Sequence, residues 1–435
     1  MKRLMLLLAF LISVGTSAWG QDEPSTSREI DLTVTGSETA KSLSRELGEN
    51  ANNITHLTIK GPLTAEDFVT LKNMARLQVL DMSGVTELLN TEISWYDNEF
   101  SQNVTYKSIP QEAFQNKLTL QKVILPACAE VIGSAAFKGC SQLIEIEFAT
   151  NNNLKYILSE AFEQCSSLRS VDLSDCSNII GIRPGAFYNC TNLIDVNLSG
   201  CTSLTSIGHS AFSNCSSLQT IDMSSCTSLL IIGQSAFSSC SLLTTISLTN
   251  CTALKTIDGY AFSHTSKLNA FDFTALTALE TIGRYAFQAS GLSSEVVLGS
   301  SIKEIGEYAF ANSQQLINVS FAENSRLTTL SAYSLADCSA LRTVDFSNCI
   351  TLGTIGDQAF SNCYSLQSIL IDNNWFKSKE GVLFVVDCAT LMVYPNAKEL
   401  ESYTIPNTVQ TIITNAFPIV FRSVEQPKTI RNIQT

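Results

Sequence analysis

Ala161-Phe162-Glu163-Gln164-Cys165-Ser166-Ser167-Leu168-Arg169-Ser170-Val171-Asp172-Leu173-Ser174-Asp175-Cys176-Ser177-Asn178-Ile179 is the stretch whose reading decides the fold, because the chain writes it again and again. Its Ala-Phe pair recurs at Phe114, Phe137, Phe162, Phe187, Phe212, Phe237, Phe262, Phe287, Phe310, Phe360 and Phe417, with a degenerate Ser334-Leu335 in the one gap. Counting Leu335, every step from Phe114 to Phe360 is 25 residues except two of 23, at Phe114 to Phe137 and at Phe287 to Phe310. A fixed period of this size implies a solenoid, in which each unit buries its apolar edge only against its neighbours.

Inside each period the apolar spacing identifies the unit. Leu168, Val171 and Leu173, followed by Cys176, fit L-x-x-L-x-L-x-x-[N/C], the strand-bearing half of a leucine-rich repeat. The last slot reads Cys128, Asn151, Cys176, Cys201, Cys226, Cys251, Leu276, Ser301, Asn324, Cys349 and Asn374, so only two of eleven residues depart from a small thiol or amide. Such a side chain can serve backbone groups trapped where the chain turns inward after the strand. The expected architecture is an α/β-type repeat solenoid: right-handed, with one long parallel β-sheet, and with short helical or irregular turns carrying the Ala-Phe pairs on the convex side. Fourteen strand segments would make a sheet of about 65 Å at ~4.8 Å per strand.

From the start of the chain, Lys2 and Arg3 precede the apolar run Leu4 to Val14 and the small residues around Ala18 and Gly20. This reads as a secretory signal peptide over residues 1–20, cleaved after Gly20 or Ala18, and too short for a membrane span. The first cysteine is Cys128, so no lipid-anchor cysteine follows the cut. An N-terminal cap is expected over 21–53, with a helix from Glu38 to Gly48 capped by Ser37, and the first strand at Ile54, Leu57 and Ile59. Thr64-Ala65-Glu66-Asp67 has the form of a capping box. The repeats are expected over 54–420, with insertions at about 88–107 and 373–401, the second a hairpin. A polar tail follows at 421–435.

The Ile-Gly-x-x-Ala-Phe-x-x-Cys unit at Ile207-Gly208 to Cys215, together with the entry Leu57-Thr58-Ile59-Lys60-Gly61-Pro62-Leu63-Thr64-Ala65-Glu66-Asp67-Phe68, resembles the BspA-like family of bacterial cell-surface leucine-rich-repeat proteins. The resemblance covers about residues 30 to 420. It implies a cell-surface location and adhesion or partner binding, with host extracellular matrix or another surface protein as the class of ligand. It brings no catalytic motif.

The residues themselves agree with a non-enzymatic chain. His56, His209 and His264 sit in no H-E-x-x-H, no G-x-S-x-G occurs, and the glycines fall one per unit at Gly133, Gly208, Gly233 and Gly283 as turn punctuation rather than in a phosphate loop. The chain has no C-x-x-C, which argues against zinc, and no cofactor or metal is expected. The formal charge of −13, with no basic stripe, argues against nucleic acid and anionic lipid. Fourteen cysteines invite a disulfide reading, but seven lie three residues after the Phe slot and six in the N/C slot. Side chains stacked in parallel columns do not present the crossed geometry a disulfide needs, so buried, reduced thiol ladders are expected.

Two features are candidates for a partner site. Between the last two apolar strand positions runs a column containing Asp81, Glu147, Asp172, Asp222 and Asp272, readable either as a solvated face or as an acidic strip for a basic partner or Ca²⁺. The first insertion carries Trp95, Tyr96, Phe100 and Tyr106 among polar residues, a mixture found in contact loops. Function is therefore read as a binding or adhesion module for a protein partner. An envelope carbohydrate-binding protein and a passive structural spacer are the alternatives.

Overall fold

In the computed structural model of the chain, residues 26–33, 41–94, 103–150, 152–398, 403–417 and 432–433 are described. The expected leader at 1–20 lies outside them. The repeats wind as a parallel β-solenoid, and each turn has three parts: a strand, a second short strand, and the Ala-Phe turn.

The first strand is the one expected from the leucine spacing. Val171, Val196 and Ile221 stand in direct register and are buried, as are the residues two places on, Leu173, Leu198 and Met223. Their β-branched and aliphatic side chains fill one face while the residue between them points outward. This first ladder comes in three runs. Ser27–Asp31, His56–Pro62, Val79–Glu87, Lys122–Leu125 and Glu145–Phe148 form one, Ser170–Asp172 to Thr245–Ser247 the next, and Ser294–Leu298 to Ser368–Leu370 the last. The second and third runs are separated at Leu268 to Leu276. There Phe271 takes the slot that holds Val or Ile in the neighbouring turns, beside Phe273 in a slot that Phe148, Phe321 and Phe346 also fill, and both rings pack against Phe287, 5.0 and 5.2 Å between centroids. A ring at Phe271, in a slot cut for Val or Ile, goes with the loss of pairing there.

The expectation of one sheet is corrected by a second ladder. The two-residue strands that precede the Ala-Phe turns, such as Ser206–Ile207 and Ile231–Ile232, stack in parallel into a sheet of twelve strands that runs from Thr354–Ile355 back to Val131–Ile132 and Asn103–Ile109 and ends on the antiparallel Asn90–Ser94. The Gly after these strands serves close approach rather than a special φ: a Cβ on Gly208 would lie 2.7 Å from Arg183 C and Pro184 N of the preceding turn.

The Ala-Phe turns form a column of their own. N–H groups of Ser210, Phe212 and Asn214 donate to the carbonyls of Gln234, Ala236 and Ser238 in the next turn, at 2.8 to 2.9 Å. The same three bonds recur from turn to turn and always point toward the C-terminus. Holding this shape needs left-handed backbone at two places per turn, Ser210 (φ 53°) and Asn214 (φ 61°) here, at a cost of about 1 kcal/mol or more each for residues other than Gly. The Phe rings offset it. From Phe114 to Phe310 they are stacked 5.0 to 5.5 Å apart, nearly parallel and almost fully buried. Each ring buries its faces on its neighbours.

The cysteines follow the same logic. Cys215 Sγ donates to Phe187 O at 3.2 Å, and that carbonyl also takes the Cys190 N–H at 3.3 Å. Where a hydroxyl replaces the thiol it performs the same task, as with Ser313 Oγ to Phe287 O at 3.0 Å. In the second thiol column Cys201, Cys226 and Cys251 donate to the carbonyls of Leu173, Leu198 and Met223. All fourteen cysteines are free, thirteen of them buried. Burial pushes the thiols of Cys140, Cys176, Cys215, Cys226, Cys251, Cys349 and Cys363 up to about 12, and those of Cys165, Cys190, Cys201, Cys240 and Cys338 up as well. Two of the expected N/C slots are off by one residue and a third falls on a residue that is not described. Asn151 lies outside the described residues, and Asn152 beside it is buried and donates to Cys176 Sγ. Ser325 rather than exposed Asn324 is buried, and Asn373 rather than Asn374 donates to the carbonyls of Cys349 and Leu352.

The ends differ from expectation in detail. The first strand is Ser27–Asp31, not Ile54 to Ile59, and it pairs in parallel with His56–Pro62. Helix α1 spans only Leu43–Leu47 with Ser42 at its N-cap; Ser37 and Ala40 lie outside the described residues. Helix α2, Ala65–Asn73, has the capping box read from Thr64 and Asp67. Asp67 is buried and its second oxygen accepts the Leu43 N–H at 2.8 Å, so one carboxylate caps both helices. The second insertion forms the expected hairpin, Phe376–Lys379 and Val382–Val385, turning through Glu380 (φ 48°) and Gly381 (φ 81°). Thr390–Val393 adds a third antiparallel strand. Two parallel strands follow, Thr411–Ile412 and Asn432–Ile433, the latter inside the segment expected as a tail. Leu400 lies outside the described residues.

Candidate functional site

The acidic column has a structural task visible at each position. Asp81 Oδ1 accepts the Ser83 N–H at 2.8 Å, Asp172 the Ser174 N–H at 3.0 Å, Asp222 the Ser224 N–H at 2.9 Å and Asp345 the Ser347 N–H at 2.8 Å. Asn197 does the same for Ser199 at 3.1 Å with a neutral amide oxygen. These are Asx turns, in which the side chain satisfies a backbone group as the strand ends. Asp272 accepts from the Thr274 hydroxyl and from two backbone N–H groups, and these bonds, the hydroxyl first, hold its carboxyl below the usual range. Glu147 is paired with Lys122, which also reaches Glu145 at 3.2 Å.

Register brings these residues together only in parts. Asp81, Ile124 and Glu147 are neighbours in one run, and Asp172, Asn197, Asp222 and Ser247 in another. Asp272 stands where the ladder lapses. Among the described residues no cluster of three or more His, Cys, Asp or Glu could hold a metal ion.

The first insertion is an antiparallel hairpin, Asn90–Ser94 with Asn103–Ile109, and it closes the N-terminal end of the second ladder through Ser108 and Ile109. Asp81 belongs to the first ladder, so the hairpin and the acidic column lie in different sheets. Trp95, Tyr96 and Phe100 are outside the described residues. Tyr106 is half-buried, edge-on to Tyr156 at 5.8 Å, and Lys155 lies 5.4 Å from its ring centre. Arg183 sits over Tyr156 at 5.3 Å, and Lys155 is bonded to Glu130 at 2.7 Å, which raises its pKa. Tyr106 thus anchors the hairpin base in a chain of ring and cation contacts.

Three further surfaces stand on the molecule, the first two of them missed by the sequence reading. Tyr260, Tyr285, Tyr308 and Tyr333 stack at 4.6 to 4.7 Å, each at the left-handed position before the Ala slot, which Ser334 fills after Tyr333. The signal was available as four successive Tyr at one point of the period. Ile144, Ile194 and Leu242 are exposed around a depression of about 390 Å³ with Arg169 and Gln219. Trp375 is 44% exposed and lies against Gly353.

Against known proteins the chain matches the model of the BspA type leucine rich repeat region, in six copies spanning residues 107–229, 176–293, 280–385 and 392–435. No curated protein matches it. Among solved structures it is similar to a leucine-rich repeat protein from Bacteroides ovatus, at 22% identity and TM-score 0.53 over 82% of each chain. A leucine rich cell surface protein from Faecalibacterium prausnitzii is 21% identical, with TM-score 0.32, over 66% of this chain and 82% of that one. The Bacteroides likeness is one of fold. No helix among the described residues is long and apolar enough to cross a membrane. With its thiol-bearing turns, its Asx-terminated strands and a family match over most of its length, the chain belongs to the BspA-type leucine-rich repeat family.

Proposed function

We propose that this protein is exported to the bacterial surface by the leader at residues 1–20 and acts there as a non-enzymatic binding module for a protein partner, with the first insertion as its contact loop. The observation that carries the reading is the hairpin Asn90–Ser94 and Asn103–Ile109: it interrupts the repeat, is fixed at its base by Tyr106 and Ser108, and carries Trp95, Tyr96 and Phe100 between its strands. Loops held by a rigid array are where repeat scaffolds place recognition, and aromatic side chains carry much of interface energy. A protein partner is favoured over a glycan because the Tyr260 to Tyr333 rings spend their faces on one another, leaving edges rather than a flat platform for sugar. The acidic column, including Asp81, Glu147, Asp172, Asp222 and Asp272, contributes outward carboxylate oxygens that favour a basic partner surface.

The test is capture of ligands from a panel of matrix and surface proteins by the mature chain, beside a glycan array. A chain with Trp95, Tyr96 and Phe100 changed to Ser should lose capture while its melting temperature stays within a degree or two. Retained capture would remove the loop from the site, and glycan binding without protein capture would reverse the choice of partner class.

A further inference from the structure

The turn containing Thr354–Ile355 and Phe360 is the last in two of the three columns. One turn earlier, Thr328 O takes the N–H groups of Gly353 and Thr354, and Leu330 O takes that of Gly356. In the same turn the N–H groups of Tyr333, Leu335 and Asp337 donate to the carbonyls of Asp357, Ala359 and Ser361 at 2.8 to 3.1 Å. At the Phe360 turn the pattern stops. Among the described residues no backbone group takes the carbonyls of Gly353 and Ile355, and none accepts from the N–H groups of Gln358, Phe360 and Asn362. The cause is the second insertion, which sends the next Ala-Phe turn elsewhere: the Ala416 carbonyl takes the Tyr394 N–H, and Thr411–Ile412 pairs with Thr390–Val393 rather than with Thr354–Ile355. The apolar residues here are still buried, but a little less tightly than in other turns. Ile355 is 9% exposed and Phe360 5%, against 0 to 1% for Ile157 through Ile305 and for Phe162 through Phe310 at the same points of the period.

We propose that this step is a docking edge for an extended peptide strand of a partner protein, which adds as one more turn beside Thr354–Ile355. The complementarity is of backbone groups: two carbonyls call for three N–H donors, two of them on the first carbonyl, and three N–H groups call for three carbonyls, in the spacing each turn of this chain supplies to its neighbour. Strand addition of this kind draws affinity from main-chain bonds and selectivity from side-chain pockets. The side-chain surface beside this edge is the half-exposed Trp375 ring, placed against Gly353, next to Ile355 and Phe360, which stay largely buried. A second copy stacking end to end is disfavoured, because the first Ala-Phe turn lies under α2, with Phe68 against Phe114 and Lys72 Nζ bonded to Glu112 O at 3.0 Å. The edge is separate from the hairpin of the proposed contact loop, which closes the other end of the same twelve-stranded ladder.

The probe is a synthetic peptide with the sequence of residues 280–290, which contains no cysteine. In its own turn this segment donates the Gly283 N–H to Ile257 O at 2.7 Å and offers the carbonyls of Arg284, Ala286 and Gln288 to the N–H groups of Tyr260, Phe262 and His264. Docked in the same register on the full chain, it would satisfy Ile355 and the three free donors. Hydrogen exchange on the protein should show Gln358, Phe360 and Asn362 exchanging much faster than Tyr333, Leu335 and Asp337, and slowing at least tenfold when the peptide saturates. N-methylation of the peptide at the residue matching Gly283 removes one donor and should weaken binding about tenfold. Slow exchange at Phe360 and Asn362 in the monomeric protein without peptide overturns the proposal, as does equal binding by the N-methylated peptide. Protection that appears only as the protein self-associates also overturns it, since the occupant would then be another copy.

Discussion

Raising the pH should unfold this solenoid through its thiols, and the structure sets the size of the effect. Thirteen cysteines stand in the two columns, and all but the half-buried Cys128 are buried; burial raises the pKa of each of these twelve above the ordinary value of 9.0, to about 12 for Cys140, Cys176, Cys215, Cys226, Cys251, Cys349 and Cys363. An acid whose folded pKa is raised binds its proton more firmly in the native state. Its contribution is fully present below pH 9 and is lost as pH rises toward the folded value. At pH 10 each unfolded thiol is about nine-tenths ionised, which favours the unfolded chain by about 1.4 kcal/mol per thiol. Twelve together reach about 17 kcal/mol, more than the 5 to 15 kcal/mol that usually holds a domain folded. Absorbance of thiolate near 240 nm and far-UV circular dichroism, followed together from pH 7 to 11 without oxidant, should change in one cooperative step between about pH 9 and 10. Replacing Cys190, Cys215 and Cys240 by Ser, the side chain already used at Ser290 and Ser313, should move that step to higher pH. A gradual thiolate titration centred near pH 9 with the dichroism unchanged would show that the thiols are accessible in the folded chain, and the column assignment would fall.

Truncating one ring of the spine, Phe212→Ala, should cost about 3 to 5 kcal/mol in urea unfolding, because the ring is fully buried between Phe187 and Phe237 at 5.1 and 5.3 Å; a loss under 1 kcal/mol would mean the stack is not packed as described. Asp222→Asn keeps the acceptor for the Ser224 N–H and should be neutral, as Asn197 is in the neighbouring turn, whereas Asp222→Ala should cost about 1 kcal/mol; equal melting temperatures for the two variants would remove the Asx turn from the account. Ser334 is fully buried in an Ala slot and its hydroxyl finds no partner among the described residues, so Ser334→Ala should raise stability by about 1 kcal/mol, and a decrease on thermal unfolding would contradict this.

The columns were legible because identical side chains at a fixed step can only stack, and the Phe, Cys and Leu positions of the first ladder needed no more than the period. What escaped has physical causes. The second ladder is built from strands of two residues, too short to show the alternation by which a strand is recognised, so Ile207-Gly208 read as a turn. Left-handed positions are filled by Ser, Asn, Gly, Glu and Tyr and also by Ala, Gln, His and Asp, so composition there is silent about φ. Asn152, Ser325 and Asn373 sit one place away from where counting puts the slot, since a local bend lets the chain gain or lose a residue without moving the core. Acids in the central column were visible as charge, but an Asx turn uses the oxygen and not the charge, and only Asn197 hinted at it. For the candidate site the sequence marked the first insertion and Tyr106, while the exposure of Trp375 depends on how its hairpin lies on Gly353, a long-range contact with no local signature.

The Ala-Phe column also bears on how such a chain can change its length. All its inter-turn bonds point one way, so any turn offers the same acceptors backward and the same donors forward. A stretch of one whole period can therefore be duplicated or excised and the cut ends still match, with no bond reversed and no ring left over. The two steps of 23 residues show that the loss need not even be a full period: Phe114 and Phe137 are 5.0 Å apart, and Phe287 and Phe310 5.5 Å, hardly different from the 5.1 Å of Phe162 and Phe187 across 25 residues. Copy-number variation in the gene should thus be tolerated in units of a turn, and slippage of a residue or two should be absorbed on the strand side, while the ring column keeps its spacing.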